Sequence, residues 1–264
     1  VNGTSATGVQ LVDGEVIEAR AVVICAGAIH SPSVLHRSNV QLPGIGLGLS
    51  DHVAISFTIV VNDKIPSNTV TGTLLRLSSR HSRGDIHILP MNRASNDSPL
   101  AVLSVALMQV QSRGSVITTS HDPFMLPKVN FNMLSEQSDR QRLREGLAVL
   151  LDLVSTTSVT SRTQGTFCDE FGTPAAVLGY MSESELDQWM IANVGNHFHA
   201  SGSCRMGSTS DVMAVVDSSG RVIGHDKLWV CDASIIPALP RATTHLPVVM
   251  MAEVIAPQIA HDLA

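Results

Sequence analysis

The chain has 264 residues, 44% of them apolar and 15% charged. These values predict one large domain or two smaller ones with a substantial core, and they exclude disorder over most of the length. The formal net charge of −6, with Lys and Arg scattered along the chain, argues against a nucleic-acid-binding surface, which usually carries a basic stripe.

The cysteines predict buried thiols. They form no C-x-x-C pair, so metal-ligand spacing is absent, and a disulfide framework is unusual in a chain of this size. Free cysteine is among the residue types found most often inside proteins. We therefore expect no metal site and four free, buried thiols, those of Cys25, Cys168, Cys204 and Cys231.

No segment of the sequence is expected to cross a membrane. The apolar run LPVVMMAEVIAPQIA near the end of the chain is interrupted by Glu253 and Pro257 and is too short to span a bilayer. No secretory signal is visible at the start, which favours the cytoplasm, although the opening residues resemble the interior of a domain.

The first part of the chain predicts a hairpin followed by a strand, a turn and a helix. Residues 9–12 and 15–18 suit a hairpin that turns at Asp13-Gly14. The unbroken apolar run at 21–26 is typical of a strand buried on both faces, as in a parallel sheet. Ser31 and Pro32 are suited to the N-cap and first position of the helix. This geometry lets backbone approach a cofactor, although an ordinary well-packed turn would look the same.

Residues 52–120 predict an antiparallel sheet. Short strand-like runs are separated by Gly, Pro, Asn and Ser, as expected for a sheet inserted between two parts of another domain. The runs are VAISFTIVV, TGTLLRLSS, GDIHILPM, LAVLSVALMQVQ and GSVITTS.

The rest of the chain predicts three helices and one more buried strand. Residues 135–157 carry leucines at helical spacing, and Ser182 and Glu185 have the spacing of a capping box. LWVCDAS reads as a second buried apolar strand, which ends in Asp and small residues. The closing segment predicts a helix that begins near Pro247.

Four segments, in order, resemble the C-terminal half of the glucose-methanol-choline (GMC) family of flavin oxidoreductases. They are GAIHSPSVLHRSNV at 27–40, GIGLGLSDH at 44–52, HFHASGSCRMG at 197–207 and the segment at 215–253. The resemblance implies a mixed α/β (α+β) fold, part of a Rossmann-like FAD-binding domain with an inserted antiparallel-sheet substrate domain. It divides the chain into a partial FAD-binding domain at 1–50, a substrate-binding domain at 51–195 and a return to the FAD-binding domain at 196–264.

Two features depart from the family pattern. Asn39 stands where the family signature has Gly, which leaves the local turn open. The βαβ unit with G-x-G-x-x-G, which holds the pyrophosphate of the nucleotide in this family, does not occur in this sequence. The glycines of PGIGLGLSDH follow a helix and do not open a βαβ unit, so we do not assign them to a nucleotide loop.

The resemblance assigns two catalytic residues. His199 is followed by small residues, where the family has its base, and His245 stands at the second position, which holds His or Asn in the family. A neutral imidazole is suited to removing a hydroxyl proton, and a second hydrogen-bonding group stabilises the developing alkoxide. His197 is the nearest rival of His199, because two side chains so spaced in an extended segment point the same way. For the other histidines we expect ordinary packed or surface positions.

The resemblance also implies the residues that hold FAD. Small residues at 200–202 would let the backbone pass close to the flavin, and the last helix would direct its partially positive N-terminus at the flavin's pyrimidine edge. A simple strand-end turn is the alternative interpretation of Asp232-Ala233. The residues expected to bind FAD are Gly27, Ala28, Asp232, Ala233, Pro247 and Val248.

The function implied is oxidation of the CH–OH group of a small-molecule alcohol, with hydride transfer to flavin N5 and a histidine base. Two alternatives stay open. One is a lyase on the same scaffold, as in hydroxynitrile lyases. The other is a non-catalytic fragment or a subunit that requires a missing N-terminal segment or a partner chain, and its expected structural mark is an exposed apolar patch.

Overall fold

The computed structural model describes residues 1–62, 70–91 and 99–264, which form two compact units. The first unit comprises Val1–Asp51, Arg113–Asn132 and Phe198–Ala264, and the second comprises His52–Ser112 and Met133–His197. Residues 113–132, expected within the middle domain, belong instead to the first unit, because their strand pairs there. Two parts of the predicted middle domain, 63–69 and 92–98, lie outside the described residues.

The helices and strands alternate irregularly along the chain, so the predicted mixed α/β class is confirmed. The helices are α1 (Gly27–Arg37), α2 (Gln137–Ser155), α3 (Thr157–Thr160), α4 (Glu183–Asn193) and α5 (His245–Asp262). The strands are β1 (Gly8–Gln10), β2 (Val16–Glu18), β3 (Val22–Ile24), β4 (Leu47–Leu49), β5 (Val53–Val61), β6 (Leu75–Leu77), β7 (Ile86–Met91), β8 (Leu100–Leu107), β9 (Gly114–Ile117), β10 (Lys128–Asn130), β11 (Thr163–Phe167), β12 (Gly195–Asn196) and β13 (Leu228–Val230).

The first unit contains the predicted parallel pairing. β3 and β13 are parallel neighbours, with Ile24 opposite Val230. The expectation that β3 is buried on both faces is wrong, because Val23 is 41% exposed while Ile24 is buried. The hairpin of β1 and β2 is confirmed, and β4, β9 and β10 form a separate three-stranded sheet.

Helix α1 begins at Gly27, four residues before the predicted N-cap Ser31. Pro32 is therefore inside the helix, where its missing N–H leaves the carbonyl of Ala28 without its usual helical donor. The helix is followed by a left-handed residue, Asn39, with a φ of 60°. The N–H of Val40 donates to the carbonyl of Leu35, which is the Schellman pattern, and Asn tolerates this conformation almost as Gly does. Asn39 therefore preserves the turn.

The second unit contains the predicted antiparallel sheet. Its strand order is β11-β5-β8-β7-β6, and β12 also pairs with β5. Helix α2 packs on one face of this sheet and buries Leu143, Leu147 and Leu150. Gly146 allows the close approach, since a Cβ there would lie 2.7 Å from a side-chain atom of Val105. The predicted helix at 135–157 is thus confirmed, with slightly shorter bounds.

The predictions for the starts of α4 and α5 and for the cysteines have different outcomes. The capping box of α4 is present in full, with Ser182 and Glu185 bonded reciprocally. Helix α5 begins at His245, two residues before the expected Pro247. Cys168 and Cys204 are buried as expected, but the expectation is wrong for Cys25, which is exposed, and for Cys231, which is half-buried. No described helix is both long enough and apolar enough to cross a membrane.

Candidate functional site

The candidate site is built at the carboxyl edge of the parallel pair in the first unit. Parallel strands end at the same edge of a sheet, so the turns that follow β3 and β13 are neighbours. The first turn leads into α1 at Gly27, and the second is the 3₁₀ turn Ala233–Ile235. Gly27 has a φ of 78°, which favours glycine, and a Cβ built on it would have open space within 4 Å.

Asp232 joins the two turns. Its Oδ2 accepts hydrogen bonds from the Gly27 N–H at 3.0 Å and the Ser31 hydroxyl at 2.5 Å. Its Oδ1 accepts from the Ser234 N–H at 2.7 Å. Ser31 in turn accepts from the Ala26 N–H at 3.0 Å. A buried carboxylate with three donors fixes the relative positions of the turns.

This network gives Asp232 a positioning role. The carboxylate lies at the N-terminus of α1, where the helix dipole stabilises negative charge and where a phosphate would otherwise be favoured. Ser31, predicted from sequence to be a helix cap, is buried and belongs to this network. The sequence feature that could have indicated this role of Ser31 is Asp232 at the end of the second buried strand, since a buried carboxylate needs hydrogen-bond donors.

The segment that carries His199 runs alongside the second turn. Three backbone hydrogen bonds connect them: Gly202 N–H to Ala233, Cys204 N–H to Ser234 and Met206 N–H to Ile235, at 3.2, 2.9 and 2.9 Å. The Ser203 hydroxyl donates to the Ala28 carbonyl at 2.5 Å, the carbonyl that Pro32 leaves without a helical donor. Two stretches far apart in sequence, around 202 and around 233, are therefore adjacent at the same edge as α1.

His199 is held through its backbone. Its N–H donates to Oδ1 of the buried Asp51 at 2.9 Å, and its carbonyl accepts from the Ser201 hydroxyl at 2.8 Å. Ser50 and Ser201 also exchange backbone bonds at 2.9 Å each. The side chain of His199 is half-buried. Asp51, part of the SDH tripeptide, thus has a positioning role that was not predicted from the sequence.

Position 202 requires glycine because of a backbone contact within the protein. Its φ is 87°, and a Cβ on it would lie 2.8 Å from the carbonyl oxygen of Gly48. The small residues at 200–202 were predicted to lie near a flavin. At Gly202 the approach of the Gly48 backbone already accounts for glycine, and the flavin interpretation stays a prediction for Ala200 and Ser201.

His245 is the first residue of α5, and its side chain is exposed. Pro247 and Val248, in the first turn of the same helix, are half-buried. The N-terminus of this 18-residue helix carries a partial positive charge. His199 and His245 both belong to the first unit. Their approach to one another stays a prediction.

The rival residue His197 has different surroundings. It belongs to the second unit, and Phe198, which follows it, has a φ of 60°. A left-handed residue interrupts the alternation of an extended strand, so the extended segment that the comparison of His197 with His199 assumed is not present at Phe198. Burial lowers the pKa of His197, which favours its neutral form.

Comparison with known proteins gives a consistent result. Two family models described as GMC oxidoreductase match the chain, an N-terminal one at residues 2–54 and a C-terminal one at residues 110–252. The 5-(hydroxymethyl)furfural oxidase of Methylovorus sp. (strain MP688) is 31% identical, over 97% of this chain and 54% of that protein. Oxygen-dependent choline dehydrogenase 1 of Chromohalobacter salexigens is 28% identical, over 91% of this chain and 50% of that protein. The chain spans about half the length of these curated relatives.

Solved structures share the fold. A pyridoxine 4-oxidase from Mesorbium loti superposes with a TM-score of 0.83 and 24% identity, over 99% of this chain and 56% of that one. A formate oxidase of Aspergillus oryzae RIB40 gives a TM-score of 0.79 and 18% identity, over 97% of this chain and 58% of that one.

Proposed function

The chain belongs to the GMC oxidoreductase family, and from that premise we propose that it forms the catalytic half of an FAD-dependent enzyme that oxidises the CH–OH group of an alcohol. The observation that carries the proposal is the position of the His199 segment. Its backbone is hydrogen-bonded to the turn after β13, at the carboxyl edge of a parallel pair, where open α/β sheets bind their ligands.

The residues at this edge fit part of a dinucleotide. The open space beside Gly27, the small side chain of Ala233 and the first turn of α5 provide backbone that a ligand can approach closely. Ala28 is buried, and its contact with FAD stays a prediction. Pro247 and Val248 would face the flavin end through that helix terminus. FAD, when bound, supplies the acceptor for hydride at flavin N5. Asp232 keeps the two turns in position through its hydrogen bonds to Gly27, Ser31 and Ser234, and its own contact with FAD stays a prediction.

His199 is the proposed base. A neutral imidazole takes the hydroxyl proton of the alcohol as the C–H bond is broken, and such general-base catalysis is typically worth about 10²- to 10⁴-fold. The bond from its N–H to Asp51 fixes the backbone from which the ring projects. His245 is the proposed second group, which holds the substrate oxygen and stabilises its developing negative charge.

The nucleotide-binding part of the enzyme lies outside these residues. Two relatives are about twice as long as the stretch matched here, and the exposed apolar side chains of α5 are suited to packing against more protein. A βαβ unit with G-x-G-x-x-G, in the same polypeptide or in a partner chain, completes the FAD site.

The test is to produce the chain together with a nucleotide-binding segment taken from a relative. We expect flavin absorbance that bleaches when an alcohol such as benzyl alcohol is added without oxygen. In the loaded protein, His199→Ala should slow bleaching by about 100-fold or more. His261→Ala, which changes an exposed residue near the end of α5, is the matched control and should bleach at the original rate. A decrease of less than about tenfold for His199→Ala would remove the base role.

A further inference from the structure

Two of the free cysteines are neighbours at the carboxyl edge of the parallel pair. The register of β3 and β13 ends with Ile24 opposite Val230, and the next residue on each strand is a cysteine. The Cys231 N–H donates to the Ile24 carbonyl at 2.9 Å, so the parallel alignment continues for one more residue. Cys25 and Cys231, which are far apart in sequence, are therefore opposite one another.

The surroundings of the two thiols show that they are close in space. Burial raises the pKa of Cys231, and the neighbouring Cys25 and Asp232 raise it further. Burial and Asp232 also raise the pKa of Cys25, whereas the Cys231 backbone N–H lowers it. Opposite residues on adjacent strands are about 4.8 Å apart. Because disulfides join Cα atoms separated by about 4.4 to 6.8 Å, this spacing suits a bond between the two cysteines.

The two cysteines differ in accessibility. Cys25 is exposed and Cys231 is half-buried, so an external reagent reaches Cys25 first. An accessible thiol beside a second cysteine that can resolve the first product is typical of redox-active pairs. Cys168 and Cys204 are buried, and burial raises the pKa of Cys204 to about 12, so both are poor competitors.

We propose that Cys25 and Cys231 form a dithiol–disulfide site that reacts reversibly with low-molecular-weight disulfides such as glutathione disulfide. The Cys25 thiolate attacks one sulfur of the reagent, the S–S bond of the reagent breaks, and a mixed disulfide forms while one thiol leaves. The Cys231 thiolate then attacks the Cys25 sulfur and releases the second thiol. The protein thiols lose two electrons and two protons, which convert the reagent into two thiols. No step involves flavin or an alcohol, so this chemistry is independent of the proposed function.

The disulfide would join covalently the two turns that Asp232 now joins by hydrogen bonds. Cys25 lies two residues before Gly27, and Cys231 directly precedes Asp232. Exposed disulfides are more easily reduced than buried structural ones, so an excess of thiol should open this bond again. The site would therefore connect the positions of these turns to the ratio of thiols to disulfides in the surroundings.

The experiment treats the full chain with glutathione disulfide at about pH 8.5, where more of each thiol is ionised than at neutral pH. Remaining thiols are alkylated, and the protein is digested with trypsin without reductant. Cys25 is then on peptide 21–37, Cys231 on 228–241, and Cys168 and Cys204 on 163–205. Mass spectrometry should find peptide 21–37 joined to 228–241 in a protein that stays monomeric. Excess reduced glutathione should return both peptides to the free form.

Single variants separate the two steps. Cys231→Ser removes the resolving thiol, so one glutathione should stay attached to Cys25. Cys25→Ser should abolish the cross-link and slow the uptake of glutathione by about tenfold or more, because the remaining thiols are less accessible. Cys168→Ser, at a buried thiol of the second unit, is the matched control and should form the cross-link at the original rate.

Thermal unfolding checks that each variant is folded, and Cys231→Ala replaces Cys231→Ser if the serine variant is not. Retention of glutathione on Cys25 in the original chain, without a cross-link, would overturn the inference. A cross-link to peptide 163–205, a cross-link between two molecules or no reaction at Cys25 would overturn it equally.

Discussion

At the scale of single residues, one proline determines the role of a distant serine. Pro32 removes the donor that the Ala28 carbonyl would receive within α1, and the buried Ser203 hydroxyl provides a substitute at 2.5 Å. The bond connects the helix at the first turn to the segment that follows His199. Without this bond, the Ala28 carbonyl at the candidate site would have no hydrogen-bond donor.

We expect Ser203→Ala to lower the free energy of unfolding by about 1–3 kcal/mol, because a buried acceptor loses its replacement donor. In a Pro32→Ala background the restored N–H can serve the Ala28 carbonyl, so the same serine substitution should cost less. Urea unfolding of the four proteins gives the coupling between the two sites, expected at about 1 kcal/mol. Ser208→Ala, at an exposed serine, is the control. Strictly additive effects would contradict this explanation.

The contacts of single residues were hard to predict from the sequence, because the same residue type is common at more than one kind of structural position. Ser31-Pro32 suits the start of a helix, but the Asp232 carboxylate allows α1 to begin at Gly27 and draws Ser31 into a buried network. Gly202 suits a flavin contact, yet the Gly48 carbonyl requires glycine there in any case. In each case the group that determines the local structure, the Asp232 carboxylate or the Gly48 carbonyl, is remote in sequence. The segments that contain these groups could be identified from the sequence, but their contacts could not.

At the scale of elements, α2 is fixed by a buried ionic cluster as well as by its leucines. Arg142 donates to Asp139 at 2.6 Å and to Asp85, just before β7, at 3.4 Å. Asp139 also accepts from the Ser112 N–H at 2.7 Å, and all three charged side chains are at most 4% exposed. Two buried carboxylates thus depend on one guanidinium.

Arg142→Met should lower the free energy of unfolding by about 3–5 kcal/mol, because it keeps much of the volume but leaves two buried carboxylates without their cation. Chemical denaturation measures the change. Arg162→Met, at an exposed position in the same unit, should change stability by no more than about 0.5 kcal/mol. If Arg142→Met is as stable as the control, the buried ionic cluster does not stabilise the folded protein.

The elements were more predictable than the contacts between them. Strand-like runs bounded by turn residues indicated β5 and β8, and residue spacing indicated α2 and the capping box of α4, because these signals are local in the sequence. The ionic cluster was not predicted. Asp85, Asp139 and Arg142 occur within polar stretches that resemble ordinary solvated surface, and only the folded sheet brings them together.

At the scale of the whole molecule, α5 is unusual because two of its faces are apolar. Met251, Ile255 and Ile259 pack against the first unit's core, at spacings of four residues. Leu246, Met250 and Val254 form a second row with the same spacing, and they are 72%, 61% and 56% exposed. A helix that is apolar on more than one face is normally buried on each of them.

We infer that the exposed row of α5 is covered by the nucleotide-binding unit, and Met250→Cys tests this. In the chain alone, a water-soluble maleimide should modify the introduced thiol rapidly, as measured by mass spectrometry of the peptide that contains it. Together with a nucleotide-binding segment from a relative, the rate should fall by about tenfold or more, because modification then requires local opening. Phe171→Cys, at an 86% exposed position in the second unit, should react equally fast in both samples. An unchanged rate at position 250 in a sample that binds flavin would show that this row faces solvent in the assembled enzyme, and the covering unit would have to pack elsewhere.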